Sequence, residues 1–501
     1  VKWTPTADMK AQAAALAAGA ALSLAFAPFS FALLALLAPA LLFLLVAEAP
    51  PRRAAWRGLL FGIGLFGVGV SWVFVAIHDY GNTGAMAALL LTLLFVLLLA
   101  LYFALFAWAA ARLPGERGGR YFLLALPALW LLVEWFRGWF LTGFPWLALG
   151  YSQIETPMAG YAPLFGIYGV SGLLVFGAGA LAWGWRQRRV WPVAALLVAL
   201  LGGGAALQQV AWVEPTGSPL QVSLVQGNLP QPTKWDAAQI RHRLATYRAL
   251  SEPRMGRDDL VVWPENAITV FYHQIRDGYL ADLEQQAQAS GTDLVLGLPV
   301  QERSTGRYYT ALMSLGREQA FYYKHHLVPF GEYVPLEGVL RGMVGFFDLP
   351  MSGFTPGPRQ QAPLPVAGVS AAPTICYEDA FGHQMRRSLP EASILINGSN
   401  NAWYGDSLAP HQHLQIARMR SLETGRPLLR ATTNGISALV DHRGRLAARS
   451  RQFEQDLLSG EVQPMGGATP YVRWGDWPVV GLALLLFVLA MQSGRRRRVR
   501  R

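Results

Sequence analysis

Three short stretches put side chains capable of covalent chemistry at the ends of apolar, β-rich runs. The run 259–263 ends in Trp263-Pro264-Glu265, the run 320–323 in Lys324, and the run 370–375 in Cys376-Tyr377-Glu378-Asp379. Ligands of open α/β sheets collect beyond the carboxyl ends of strands, so three such ends can share one cleft. Cys376 is the only cysteine in the chain. A lone cysteine is either a small buried hydrophobe or a nucleophile, and polar residues directly after an apolar strand favour the second. A free thiol, with a pKa of about 8.5, needs a base or a nearby cation to react at neutral pH. Glu265 would take the thiol proton and later activate a second substrate, while the Lys324 ammonium would favour thiolate and stabilise a developing oxyanion. Lys324 is one of only four lysines in an arginine-dominated chain, and a compact ammonium is chemically distinct from a guanidinium.

The histidines form a competing constellation. His325-His326 and His411-x-His413 suggest a metal site or a Cys–His pair. Adjacent and i,i+2 spacings do not face one way on a helix, and no His-Glu-x-x-His occurs. One cysteine also excludes an intramolecular disulfide and any Cys-based zinc or iron–sulfur site. No metal or other cofactor is expected.

The elements that must position these residues are legible in the pattern. Strand-like runs at 220–226, 259–263, 293–298, 308–315, 320–324, 370–376, 393–397 and 427–440 are separated in several places by helix-like stretches near 236–251, 275–290 and 409–424. That alternation predicts an α/β domain over 211–476, long enough to bury its own core.

The rest of the chain has a different composition. Of 501 residues 53% are hydrophobic and 15% charged, where a soluble chain carries about 25% charged. The 42 Lys+Arg against 31 Asp+Glu give +11, which raises nucleic-acid binding as a possibility. Its distribution argues otherwise. Residues 1–210 hold 12 basic and 6 acidic side chains, 211–476 hold 24 and 25, and 477–501 hold 6 and none. The excess lies in the apolar parts, and no nucleic-acid partner is expected. Apolar runs at about 11–27, 29–47, 56–77, 85–111, 121–136, 163–185, 190–208 and 477–492, most of 17 or more residues, can each cross a membrane as a helix; 121–136, which contains Pro127, is among the shortest. The expected layout is seven spans in 1–210, an extramembrane domain in 211–476, and an eighth span with an Arg-rich tail in 477–501. Alternate connections carry 17 basic residues on one side and only Arg137 on the other, which puts both ends in the cytoplasm and the α/β block outside. Residues 10–27, with Ala25-Phe26-Ala27, could be a signal peptide, but the further spans favour an uncleaved first one. Gly62, Gly64 and Gly67 match G-x-G-x-x-G without a preceding strand, so close helix packing accounts for them better than a dinucleotide. Trp139, Phe140, Phe144 and Trp146 suit an outer membrane interface, as belt anchors or substrate contacts.

Trp263-Pro264-Glu265, the stretch from Lys324 to Glu332 (KHHLVPFGE), Cys376-Tyr377-Glu378 and the segment 397–430 together resemble the nitrilase, or carbon–nitrogen hydrolase, superfamily. With eight spans the likeness is to its membrane-bound branch, the apolipoprotein N-acyltransferase family, and it covers essentially the whole chain. The resemblance implies a polytopic helical membrane domain plus an extramembrane α-β-β-α sandwich. It implies Glu265 as general base, Lys324 as oxyanion stabiliser and Cys376 as nucleophile, with Trp235, Glu332, Tyr377 and Glu378 in support. It further implies a ping-pong reaction in a bacterial inner membrane. A phospholipid, typically phosphatidylethanolamine, would acylate Cys376 from its sn-1 position, and the thioester would acylate the α-amino group of a diacylglyceryl-cysteine at an apolipoprotein N-terminus. A monomer needing no cofactor is expected. Outside the membrane neither acyl-CoA nor ATP is at hand and no P-loop occurs, so a lipid donor is chemically sensible. Two alternatives stand beside this one. The first is a membrane-tethered nitrilase-like amidohydrolase, in which water resolves the thioester. The second is a transporter with an external regulatory domain, disfavoured because the spans hold few ionisable residues, Glu134 among them.

Overall fold

A computed structural model describes residues 5–81, 83–229, 237–333 and 353–498. The chain divides into two compact units, one of residues 1–74, 84–210 and 473–501, the other of residues 75–83 and 211–472.

The first unit is helical at every apolar run. Its helices are Pro5–Ser23, Leu34–Ala47, Pro51–Gly69, Ala85–Arg112, Tyr121–Ala125 continuing into Leu126–Arg137, Ala162–Gln187, Val190–Leu207 and Trp477–Arg498. Among the described residues, Ala85–Arg112, Pro157–Gln187 and Val190–Leu207 are long and apolar enough to cross a membrane. A fourth is reached if Pro51–Gly69 and Trp72–His78, bent by 58°, make one broken span; Leu34–Ala47 and Trp477–Gln492 are apolar but shorter. Leu89, Leu90, Leu93, Leu94 and Leu97 on Ala85–Arg112 are exposed, as befits a helix with apolar surroundings on one side. Gly62 lies so near the neighbouring helix that an added Cβ would sit 2.6 Å from Ala100 Cα. The glycines therefore serve helix packing, although Gly67 faces open space. Of the aromatics expected at an interface, Trp139 and Phe140 are exposed, but Trp146 is buried with its ring 5.3 Å from that of Trp72. Packing within the unit claims it instead.

Among the described residues, the second unit is built on twelve principal strands: β1 Leu220–Gln226, β2 Leu260–Val262, β3 Asp293–Gln301, β4 Tyr308–Leu315, β5 Ala320–Tyr323, β6 Leu364–Val366, β7 Val369–Ile375, β8 Ile394–Ser399, β9 Leu428–Thr432, β10 Ala438–Val440, β11 Leu446–Arg449 and β12 Asp456–Val462. They form two six-stranded sheets, ordered β12-β1-β2-β3-β4-β5 and β11-β10-β9-β8-β7-β6. Each has a parallel centre, β1-β2-β3 in one and β7-β8-β9 in the other, flanked by antiparallel strands. The central strands are buried along nearly their whole length, which is why they read as continuous apolar runs. On the first sheet Leu244, Tyr247, Leu283 and Ala287, from helices Ala237–Ser251 and Ala281–Ser290, pack against Val225, Val261, Leu294 and Leu296. On the second, Leu414 and Ala417 of helix Ala409–Thr424 pack against Ala372, Leu395, Leu428 and Ala438. The two sheets face each other. Gln226 Oε1 at the end of β1 accepts hydrogen bonds from Thr432, Ser437 and Ser450 of the opposite sheet at 3.2, 2.8 and 2.8 Å. This is the α-β-β-α arrangement that the resemblance implies. The stretch 427–440, one run in the sequence, is two antiparallel strands joined by a turn. The end of the third apolar run also departs from expectation: residues 75–83 cluster with the α/β unit, Tyr80 meeting Trp403 edge-on at 6.5 Å.

Candidate active site

Glu265 follows β2 on a turn fixed by its neighbours. Trp263 is fully buried, donates through Nε1 to Ser251 Oγ at 2.8 Å and packs on Tyr247. Gly297 of β3 lies beneath the turn, where an added Cβ would sit 2.2 Å from Pro264 O. Lys324 leaves β5 with its N–H donating to Thr310 O at 2.8 Å, continuing the β4–β5 ladder by one residue. Cys376 ends β7 and turns with φ of +52°, a conformation unfavourable for a side chain with Cβ and common where a reactive group is presented.

These three residues come from two sheets and meet in a buried site. Lys324 Nζ, 1% exposed, donates to Glu332 Oε1 at 2.6 Å and to Glu265 Oε1 at 3.3 Å. The other oxygen of Glu265 accepts from the backbone N–H of Asn400, just past β8, at 2.9 Å. Glu332 Oε2 accepts from Val328 N at 2.7 Å, which folds the loop after β5 over the ammonium. The Cys376 thiol and the Lys324 ammonium act on one another electrostatically, and the Glu265 and Glu332 charges act on the thiol.

The electrostatics weigh the ammonium against burial and the neighbouring carboxylates. Burial pulls the Lys324 ammonium down, but the Glu265 and Glu332 carboxylates outweigh it and hold the group well above its ordinary value. Burial pushes Glu332 up, opposed by Lys324. The Cys376 thiol is pushed up to about 12, first by burial and then by the Glu265 charge, with Lys324 only partly offsetting them. The ammonium does favour thiolate, yet burial and the Glu265, Glu332 and Asp379 carboxylates prevail, and the resting thiol is neutral. Chemistry at Cys376 therefore needs proton removal coupled to bond formation.

The expected supporting residues divide. Glu332 holds Lys324 directly. Glu378 is fully buried, and burial raises its pKa. One carboxylate oxygen accepts from the N–H groups of His325 and His326 at 2.8 and 2.9 Å, the other from Ile375 N at 2.8 Å and Tyr322 Oη at 3.0 Å. It thus ties the chain on either side of Lys324 to the residue before Cys376. Tyr377 is buried edge-on to Phe381 at 5.0 Å. Trp235 lies outside the described residues. Tyr404 is a residue that sequence reasoning missed: burial raises its hydroxyl well above the ordinary value, and Cys376, Lys324, Glu265 and Tyr377 all act on it electrostatically. Its only signal was its place in the segment 397–430. The histidines do not converge. His325 Nδ1 lies 2.8 Å from Gly357 O, His326 Nδ1 2.8 Å from Gln384 Nε2, and His413 Nε2 2.8 Å from Asp379 Oδ1.

Residues 18–180 match the family described as the apolipoprotein N-acyltransferase N-terminal domain, and residues 221–471 match the carbon–nitrogen hydrolase family. An apolipoprotein N-acyltransferase of Methylococcus capsulatus is 44% identical over 494 residues, covering 98% of this chain and 97% of its own. One of Azotobacter vinelandii is 45% identical over 506 residues, covering 99% and 98%. The solved carbon–nitrogen hydrolase of Helicobacter pylori G27 is similar at 17% identity and a TM-score of 0.38, over 49% of this chain and 90% of its own.

Proposed function

This chain belongs to the apolipoprotein N-acyltransferase family, and from that premise we propose that it moves an sn-1 acyl chain from a phospholipid to an apolipoprotein by way of Cys376. The meeting of Glu265, Lys324 and Cys376 in one buried site supports the proposal. In the first half-reaction the sulfur attacks the ester carbonyl carbon while Glu265 accepts the thiol proton. Lys324 offers its ammonium to the oxyanion. The carbon–oxygen bond to glycerol then breaks, the proton on Glu265 passes to the departing oxygen, and the lysophospholipid leaves. In the second half-reaction the neutral α-amine of the diacylglyceryl-cysteine attacks the thioester. Glu265 takes its proton, the carbon–sulfur bond breaks and that proton passes from Glu265 to the departing sulfur, which restores the thiol and the carboxylate. An ester becomes a thioester and then an amide, the most stable acyl form, so no nucleotide is consumed. Glu332, Tyr377, Glu378 and Trp235 are assigned supporting parts, and the transferred proton does not pass through them.

Orientation belongs to the same proposal. Eight spans carry both ends to the cytoplasm and leave the α/β unit in the periplasm, a layout supported by the asymmetry of basic residues between alternate connections. The enzyme acts as a monomer on substrates held in the bilayer.

The test is to incubate the full chain with phosphatidylethanolamine alone and measure intact mass. A hydroxylamine-sensitive acyl adduct is expected on wild-type protein and none on Cys376→Ala. Addition of a diacylglyceryl-cysteine peptide is expected to discharge the adduct onto the peptide amine. Discharge to water alone would make the protein a hydrolase, and active protein without an adduct would end the covalent scheme.

A further inference from the structure

Beneath the Cys376 turn lies a buried set of polar side chains that the reaction above does not use. Asp379, Asn397, Arg430 and His413 are all almost fully buried. Asn397 Nδ2 donates to the backbone carbonyl of Cys376 at 3.2 Å and to Thr374 Oγ1 at 3.0 Å. Its amide can face only one way. Oδ1 accepts from Arg430 Nη1 at 2.6 Å and from Ser399 Oγ at 2.6 Å, and a guanidinium is a donor with no acceptor. Arg430 Nη1 also donates to Asp379 Oδ2 at 2.9 Å, and the second oxygen of Asp379 meets His413 Nε2 at 2.8 Å. Asp379 belongs to the same turn as Cys376.

The contacts therefore close a ring, from the Cys376 carbonyl to Asn397 on β8, to Arg430 on β9, to Asp379 and back into the turn. Asn397 is the register partner of both Arg430 and Thr374, so the pleat itself holds the ring in place. A backbone bent to φ of +52° relaxes unless its surroundings over-determine it. We propose that Asp379, Arg430 and Asn397, steadied by His413 and Ser399, are positioning residues that fix the strained Cys376 turn by its carbonyl and so aim the sulfur at an incoming acyl carbonyl. None of them touches the reacting atoms. The inference rests on Cys376 being the acyl carrier.

The readout separates aim from folding. Single-turnover acylation needs the sulfur directed along one line, whereas a small alkylating agent reaches a thiol from many. Asn397→Asp keeps shape but its carboxylate cannot donate to the Cys376 carbonyl, and Arg430→Met keeps the apolar stem but removes the Nη1 donor to both Asn397 and Asp379. Each is expected to slow thioester formation about 100-fold, while the limiting rate of iodoacetamide alkylation at high pH stays within about threefold. Two donors are compared, phosphatidylethanolamine and a p-nitrophenyl acyl ester. Wild-type protein acylated by the ester alone would refute the phospholipid proposal and leave the positioning test standing. Ser399→Ala, which removes a single donor to the amide, is expected to slow acylation about fivefold and serves if the buried substitutions prevent folding. Folded variants acylated at the wild-type rate, or slowed equally in acylation and alkylation, overturn the inference.

Discussion

Replacing Glu265 by glutamine pushes two measurable rates in opposite directions. With the Cys376 thiol at about 12, only about 3 in 100,000 molecules carry thiolate at pH 7.5, a cost of about 6 kcal/mol. In the proposed mechanism that cost is avoided by moving the proton to Glu265 during attack. The glutamine side chain is the same size and still accepts from the Asn400 N–H, but it takes no proton. Loss of a positioned base is worth about 100- to 10,000-fold. The same substitution removes the charge that, after burial, most raises the thiol, so the thiol falls and the thiolate fraction rises. Thioester formation from phospholipid should therefore drop about 1,000-fold at pH 7.5, while iodoacetamide alkylation of Cys376 should become faster. In the variant, acylation should climb about tenfold per pH unit from 7 to 9, because it draws on free thiolate. Both reactions are followed by acid quench and intact mass. A variant acylated within tenfold of wild type, or alkylated more slowly than wild type, would refute the assignment of Glu265 as base.

Other outcomes follow from the same geometry. Lys324→Met leaves the Glu265 and Glu332 carboxylates buried without their cation, and should cost about 3–5 kcal/mol of stability and abolish the adduct, seen in the unfolding midpoint and intact mass. Glu332→Gln removes a charge that raises the thiol, so alkylation near pH 8 should accelerate even as acylation slows; slower alkylation would contradict the electrostatics. Glu378→Gln replaces an acceptor of four hydrogen bonds by a group with one acceptor oxygen, and should cost about 1–3 kcal/mol, read by denaturation. His326 is lowered to about 3, mainly by burial, so the fold keeps it neutral while the unfolded chain binds a proton below about 6.5. Its contribution is present above that value and is lost as pH falls, about 2 kcal/mol between pH 7 and 5. His326→Gln should flatten that part of the pH dependence of unfolding.

Much of this was legible in the chain itself. The strand ends carrying Glu265, Lys324 and Cys376 are local signals, because an apolar β-rich run followed by polar residues reports burial and then exposure within about ten positions. Helix Ala409–Thr424 is equally local, with Pro410 in its first turn and Gly425 closing it in the left-handed conformation. The apolar runs fold as helices because a polar backbone in apolar surroundings must satisfy its own hydrogen bonds. What only the tertiary structure decided is the environment of those side chains. Glu265 owes an oxygen's partner to Asn400, 135 residues away, and Glu378 gathers donors more than 50 residues upstream. The histidines, set aside in sequence as poor metal spacing, prove to serve separate purposes, His413 as a partner of Asp379. The third apolar run breaks, and its last residues cluster with the α/β unit, in which Tyr80 meets Trp403 edge-on. The neutral resting thiol is the clearest case. Sequence supplied a cysteine, a cation and a carboxylate, but a pKa sums burial and every nearby charge at once. Residue types name the participants; only their packing sets which charge prevails.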